Sequence, residues 1–310
     1  MIWDSESPSL RLAFVCFADI LGFREMTESA FEAGNEVEFL LRIKRSLSAA
    51  YEDVRNTAEF FKKVAPFDMK VFTDNIVLAH PLTHPSDDLG EPNLGTMSRL
   101  LMHMQASLAA DGFFLRGAIA VGPHYQDRDF AYGEALLEAV ELDRSGQPPR
   151  LVIGPSIEPL ISEYLSWYSG VSTPHHAYLL EDSSDGRLFL NYLNVAFENF
   201  PYSPINCDLL AAHREHIRGG LHKYESNGRV LPKYTWLAAY HDYICRMSAD
   251  AYSTQDYEEA DAFDMAVEVE ARKALDYLVC SEEQRPFRLL SADRLPPLST
   301  IVSDARGEKS

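Results

Sequence analysis

The 310-residue chain is short of basic residues. It has 28 Lys and Arg against 47 Asp and Glu, a formal net charge of −19. A surface that acidic repels nucleic-acid backbones, so DNA and RNA are not expected partners. Cysteine is scarce too: Cys16, Cys207, Cys245 and Cys280 form no Cys-x-x-Cys pair. Neither a zinc site nor a disulfide framework is therefore expected, and Cys16, inside an apolar run, reads as a buried free thiol. No apolar stretch is long enough to span a bilayer. The opening residues Met1-Ile2-Trp3-Asp4-Ser5-Glu6 lack the basic and apolar blocks of a secretory signal. Together these absences make a soluble cytoplasmic protein without membrane insertion the expectation. The Gly-x-x-x-x-Gly-Lys-Ser/Thr loop and the Gly-x-Ser-x-Gly elbow are also missing, which leaves P-loop and α/β-hydrolase chemistry without support.

What is present is ordinary globular composition, 46% hydrophobic and 24% charged. Leu12 to Ala18 is an apolar run of strand length. Apolar residues recur at helical spacing from Glu36 to Phe61. Met69 to Phe72 and Ile76 to Ala79 read as strands joined by a tight turn at Thr73-Asp74-Asn75. His80 to Leu94 reads as loop, Met97 to Ala110 as helix, and Phe113 to Val121 as a strand closed by Gly122-Pro123. A short strand at Phe130 to Tyr132, a helix from Gly133 to Leu142, a strand at Leu151 to Ile153 and a helix from Ser156 to Trp167 follow. Ala177 to Leu180 and Leu188 to Leu193 read as a hairpin. Three helical segments come last: Asp208 to Leu221, Lys233 to Met247 and Tyr257 to Cys280. The predicted class is α+β. It divides into a mixed domain over 8–197, a helical extension over 198–283 and a flexible tail over 284–310.

Two carboxylates stand out. Asp19 ends the run Phe14 to Ala18, and Asp74 sits at the tip of the central hairpin. Each alone is ordinary turn or cap chemistry. Side by side on neighbouring strands they would hold divalent cations, the usual device for attacking phosphorus. Ile20-Leu21-Gly22-Phe23 follows Asp19 as a turn into a helix whose amides suit phosphate oxygens, and Gly22 permits close approach. His213 and His216 share a helix face without an evident third ligand. His80, His84, His175 and His176 read as solvated or loop residues.

The ordered series Phe17-Ala18-Asp19-Ile20-Leu21-Gly22-Phe23, Lys70-Val71-Phe72-Thr73-Asp74, Arg116 to Gly122 and Gly133 to Asp143 resembles the catalytic domain of class III adenylate and guanylate cyclases. The likeness covers roughly residues 10 to 195 and departs at several points. Thr73 stands where the family has glycine. Leu137 and Glu141 stand where it has its transition-state asparagine and arginine. Phe130 replaces the aspartate that partners the base-reading lysine, which falls on Lys70. With these departures the chain is most similar to the compact pyrimidine cyclases of Pycsar antiphage defence.

The resemblance implies a class III cyclase (ferredoxin-like or palm) fold. It also implies two Mg²⁺ or Mn²⁺ ions per site, held by Asp19, Asp74 and the Ile20 carbonyl. The substrate would be UTP or CTP, converted to the 3′,5′-cyclic monophosphate and pyrophosphate. A head-to-tail homodimer would complete the site, and a separate effector protein would sense the product. Arg144, one turn beyond Glu141, is the candidate replacement cation, with a solvated surface role as its alternative. Tyr51, Phe130 and Tyr132 are candidates to fill purine space, or are core residues. A purine cyclase and a non-catalytic nucleotide-binding module remain the alternatives. A dinucleotide cyclase is disfavoured, because no Gly-Gly-Asp/Glu-Glu-Phe run occurs.

Overall fold

The computed structural model describes residues 3, 6–61, 67–144, 146, 148–168, 173–198, 205–251 and 287–289. Its centre is one mostly antiparallel sheet. The strands are β1 (Arg11–Ile20), β2 (Asp68–Phe72), β3 (Asn75–Pro81), β4 (Leu115–Gln126), β5 (Ala131–Gly133), β6 (Leu151–Ile153), β7 (Leu179–Asp182), β8 (Arg187–Leu190) and β9 (Phe287–Leu289). They run in the order β2-β3-β1-β4-β6-β8-β7-β9, with β5 paired to β4 as an outlying arm. Among the described residues only β4 and β6 pair in parallel. Strand β1 is central in the sheet, and consecutive residues from Ala13 to Cys16 are buried, so both its faces are covered; that is why its sequence is a continuous apolar run rather than an alternation.

Eight helices surround the sheet among the described residues: α1 (Phe23–Ala33), α2 (Glu36–Phe61), α3 (Glu91–Ala110), α4 (Glu134–Arg144), α5 (Glu158–Trp167), α6 (Pro174–Tyr178), α7 (Cys207–Lys223) and α8 (Leu231–Ala251). Helix α4 lies over the sheet face that carries Asp19, where Gly122 leaves room for the backbone and side chain of Ala135. An α+β class is thus observed. The expected helix from Tyr257 to Cys280 lies outside the described residues, as does most of the tail.

Several boundaries differ from the sequence reading, each for a physical reason. Strand β4 continues through Gly122-Pro123 to Gln126. Pro123 stands opposite Leu12, and β5 pairs with β4 only from His124 onward, so no rung is lost to its missing amide. Helix α3 begins six residues before the expected Met97, at Glu91 after a left-handed Gly90. His80 is not solvated: it is buried in β3, where its Nε2 meets Asn93 Nδ2 at 2.9 Å. His175 is buried in the short helix α6, with Nε2 3.1 Å from Glu91.

The largest difference is at the C-terminal end. Residues 287–289, placed in the flexible tail, add an antiparallel strand beside β7. Phe287 is buried against Trp236, Tyr240 and Tyr243 of α8 and against Phe189 of β8. Helices α7 and α8 share one hydrophobic core with the sheet rather than standing apart from it. A buried charge group seals the junction: Arg150 Nη1 donates to Asp182 Oδ2 at 2.5 Å, and Trp236 Nε1 donates to the same oxygen at 2.7 Å. Such a group is costly to break once assembled.

Candidate functional site

Asp19 occupies the penultimate position of β1, opposite Asn75 on β3 and Arg116 on β4. Asp74 is in the two-residue loop joining β2 and β3. Strand pairing therefore brings together two carboxylates 55 residues apart in the chain. The loop is held in place at some cost, because Thr73 adopts a positive φ of 58°, unusual for a β-branched residue. Its hydroxyl donates to Asp74 Oδ1 at 2.7 Å, and Asn75 Nδ2 donates to the same atom at 3.2 Å. The glycine expected at this position is thus replaced by a residue that orients the carboxylate.

Arg116 donates to Asp19 Oδ2 from Nε at 2.9 Å and from Nη2 at 2.5 Å. Its Nε also lies 3.6 Å from Asp143 Oδ1 of α4. The other Asp19 oxygen, Oδ1, is buried without a hydrogen-bond partner. Burial pushes the Asp19 pKa up from 3.8 to about 6; Arg116 works against the rise, and the neighbouring Asp74 carboxyl adds to it. Burial likewise raises Asp143, opposed by Arg116. For Arg116 itself, burial disfavours the charge, but Asp19, Asp143 and Asp74 outweigh it and the pKa rises. The cluster is one of excess negative charge, incompletely neutralised.

Among the described residues, no three His, Cys, Asp or Glu side chains converge on one point. The oxygen donors that could meet a cation at these strand ends are the Asp19 and Asp74 carboxylates and the Ile20 carbonyl. The Ile20 amide donates to the Asp74 carbonyl at 3.2 Å, but no reciprocal bond from the Asp74 amide reaches the Ile20 oxygen. These hard oxygen donors, with one carboxylate oxygen orphaned, fit Mg²⁺ or Mn²⁺, which commonly complete their shells with water and phosphate oxygens.

Fewer amides are free at this turn than the expected phosphate cradle would use. The Ile20 amide is taken by Asp74, and the Leu21 amide by the Phe114 carbonyl at 2.8 Å. Those two donors are corrected out of the cradle. The Gly22 and Phe23 amides have no partner among the described residues, and they open α1. Gly22 has φ 73° with open space beside it, so it is the backbone conformation that calls for glycine.

Asp19, Asp74, Arg116 and residues 20–23 line one side of a cleft of about 520 Å³. The opposite wall comes from the end of α7 and the start of α8: Tyr224, Asn227, Arg229, Val230, Lys233 and Tyr234. No motif marks these residues in the sequence, since the resemblance stops before residue 200. Arg116 carried a motif but no assigned role; its pairing with Asp19 becomes visible only through strand register.

The remaining candidates lie elsewhere. Arg144 is exposed and does not line this cleft. Helical phase explains it: Ala135, Ala139 and Asp143 are the buried residues of α4, so Asp143 rather than Arg144 meets Arg116. Tyr51 lines a neighbouring groove with Phe23, Leu40, Val71 and Thr73. Phe130 is exposed and stacks on Tyr132, with ring centroids 6.2 Å apart, so neither is a core residue. Lys70 shares the sheet face of Asp19 but lies outside its cleft, and its ammonium is buried without a hydrogen-bond partner. His124 Nδ1 and Gln126 Nε2, on the same face, are orphaned as well. Burial lowers the His124 pKa, and the Lys70 charge adds to the effect. His213 and His216 do not form a metal site. His213 is buried between Tyr192 Oη at 2.7 Å and His241 Nδ1 at 3.1 Å, while His216 Nε2 meets the Ala110 carbonyl.

Comparison with protein-family models finds no match, and comparison with curated proteins finds none. No described helix is long and apolar enough to cross a membrane.

Proposed function

We propose that the protein is a nucleotidyl cyclase that converts a pyrimidine nucleoside triphosphate, UTP or CTP, to its 3′,5′-cyclic monophosphate. The observation that carries the reading is the juxtaposition of Asp19 and Asp74 at adjoining strand ends, with an orphaned carboxylate oxygen and a cleft before them. Asp19, Asp74 and the Ile20 carbonyl would hold the divalent cations. Those cations would lower the pKa of the ribose 3′-hydroxyl and offset charge on the phosphates. The 3′-oxygen attacks the α-phosphorus and its proton leaves to water. The bond to the β-phosphate breaks, and pyrophosphate departs with the electron pair.

Within this reading Arg116 holds Asp19 in one orientation, and the Gly22 and Phe23 amides donate to phosphate oxygens. Lys70, with its unpaired buried ammonium, would meet a base carbonyl. It lies outside the cleft of its own chain, so it would serve the site of a second copy in a head-to-tail homodimer. Exposed apolar side chains at the hairpin (Phe72), the β4–β5 arm (Phe130, Tyr132) and α4 (Leu137) favour such a partner. The product would act through a separate effector, in the cytoplasm.

A second reading, a nucleotide-binding module without turnover, is favoured by Leu137 and Glu141, both exposed and neither cationic. Pyrophosphate release separates the two. With Mn²⁺ and each of the four ribonucleoside triphosphates, the cyclase reading expects release from a pyrimidine substrate, abolished by Asp19→Ala and by Asp74→Ala. Full activity in either variant would refute the metal assignment, and no release from any triphosphate by a verified dimer would favour the module.

A further inference from the structure

The cleft has charge left over once its internal pairs are counted. Arg24 pairs with Glu28 at 2.8 Å. Glu25 takes Lys223 at 3.2 Å and the Tyr224 hydroxyl at 2.9 Å. Asp19 takes Arg116. Among the charged residues lining the cleft this leaves Asp74 on one side and Arg229 and Lys233 on the other. Neither Arg229 nor Lys233 has an acidic partner within ion-pair distance among the described residues. Burial lowers the Lys233 pKa and Arg116 and Arg229 lower it further, against the opposing pull of the Asp19 and Asp143 carboxylates. Unpaired cations are therefore crowded together in a chain whose overall charge is strongly negative. Two cations that line a cleft without a direct ion pair can take an anion of several charges.

The wall that carries them is built, not incidental. Asn227 Oδ1 accepts from the amides of Arg229 and Val230 at 3.1 and 3.2 Å, and the Asn227 carbonyl accepts from Leu231 at 2.9 Å. The turn is thus fixed by one residue, through both its side chain and its backbone carbonyl. Tyr234 stacks on Tyr224 and packs edge-on against Phe114 at the foot of β4. Gly220 permits this packing: a Cβ there would fall 2.0 Å from the Tyr234 ring. The Tyr224 and Lys223 contacts to Glu25 tie the end of α7 to α1, the helix that follows the phosphate cradle.

We propose that Arg229 and Lys233 form a polyphosphate-binding wall, supplied by the same chain from outside its catalytic domain, that takes the β- and γ-phosphates of the nucleoside triphosphate. The identity of the ligand rests on the cyclase reading above. Cations at this place would also stabilise the electron pair left on departing pyrophosphate, a charge that Leu137 and Glu141 cannot meet. The helical extension is then part of the site.

The test is calorimetric titration of the full-length protein with inorganic triphosphate in chelator, so that the result does not depend on turnover or on a bound metal. Arg229→Ala and Lys233→Ala are each expected to weaken binding about tenfold, as loss of one charge-assisted contact does. The double variant is expected to bind more weakly than either. Arg218→Ala, whose guanidinium pairs with Glu215 away from the cleft, is the control and should match the parent. Unchanged melting temperatures would show that the variants fold. Parent-like affinity in the double variant, or no triphosphate binding by the parent, would overturn the wall. If triphosphate binding depends on both residues but no nucleotide is cyclised, the wall stands and the cyclase reading falls. If nucleotide is cyclised and the double variant alters neither affinity nor kcat/KM, the cyclase reading stands and the wall falls.

Discussion

Asp19→Asn should make the metal-free protein more stable. The Asp19 pKa is pushed from 3.8 to about 6, mainly by burial. At about 1.4 kcal/mol per unit, an ionised Asp19 costs at most about 3 kcal/mol at pH 7. Its side chain keeps 13% of its exposure, so solvent screening brings the expected value nearer about 2 kcal/mol. The sign follows from proton binding. A carboxyl whose folded pKa is raised binds its proton more readily in the folded state between 3.8 and about 6. Its penalty is therefore full above that window, shrinks as pH falls through it, and is absent below. In chelator at pH 7 the variant should melt about 4 °C higher than the parent, and the two should converge near pH 4. Saturating Mn²⁺ should raise the parent, by about 2.7 kcal/mol at a hundred times Kd, and leave the variant unmoved. Differential scanning calorimetry reads both. A variant less stable than the parent in chelator at pH 7 would mean that the Arg116 pair outweighs burial and Asp74 repulsion, and would refute the reasoning.

Other perturbations test other parts of the account. Thr73→Gly should stabilise the hairpin by about 1 kcal/mol in urea melts by relieving a β-branched residue at positive φ, while lowering activity because Asp74 loses its hydroxyl partner. Arg150→Met should destabilise by about 3–5 kcal/mol, because Asp182 is left buried without its cation; a loss under 1 kcal/mol would show that Trp236, with the Ser184 hydroxyl that donates to Asp182 Oδ1 at 2.6 Å, suffices to hold it. His213 is held well below its ordinary pKa by burial, and by His241 and His216. The unfolded chain therefore binds the proton first, and stability falls as pH drops below about 6.5, by up to about 1.4 kcal/mol per pH unit. His213→Gln should flatten that slope by one proton between pH 5 and 6.5; an unchanged slope would place the titration elsewhere.

The sequence revealed those parts of the site that are local. Asp19 ends an apolar run and Asp74 lies between two strand-like runs, so each element and its tip could be read from hydrophobic pattern and turn chemistry. The motif order implied their adjacency; in the structure Asp19 stands opposite Asn75, the residue next to Asp74. What could not be read depends on contacts between distant segments. Strand β4 passes through Gly122-Pro123 because its neighbours leave that rung unused, a fact absent from the local sequence. The Arg229–Lys233 wall is a packing result: the turn looks like any solvated loop until Tyr234 meets Phe114 and Gly220. Arg144 lies outside this cleft for a related reason, since spacing from Glu141 chooses a face of α4 and only the sheet shows which face is inward. Phe287 was assigned to a tail because its neighbours are polar and rich in proline, yet one aromatic ring anchors a strand in a pocket built from four others.

The most direct test of the central claim is the mass of the nucleotide product. The purified protein, incubated with Mn²⁺ and each ribonucleoside triphosphate in turn, should yield cyclic UMP or cyclic CMP together with pyrophosphate. Cyclic AMP or cyclic GMP as the main product would contradict the pyrimidine assignment, and unaltered triphosphate in all four incubations would contradict the cyclase itself.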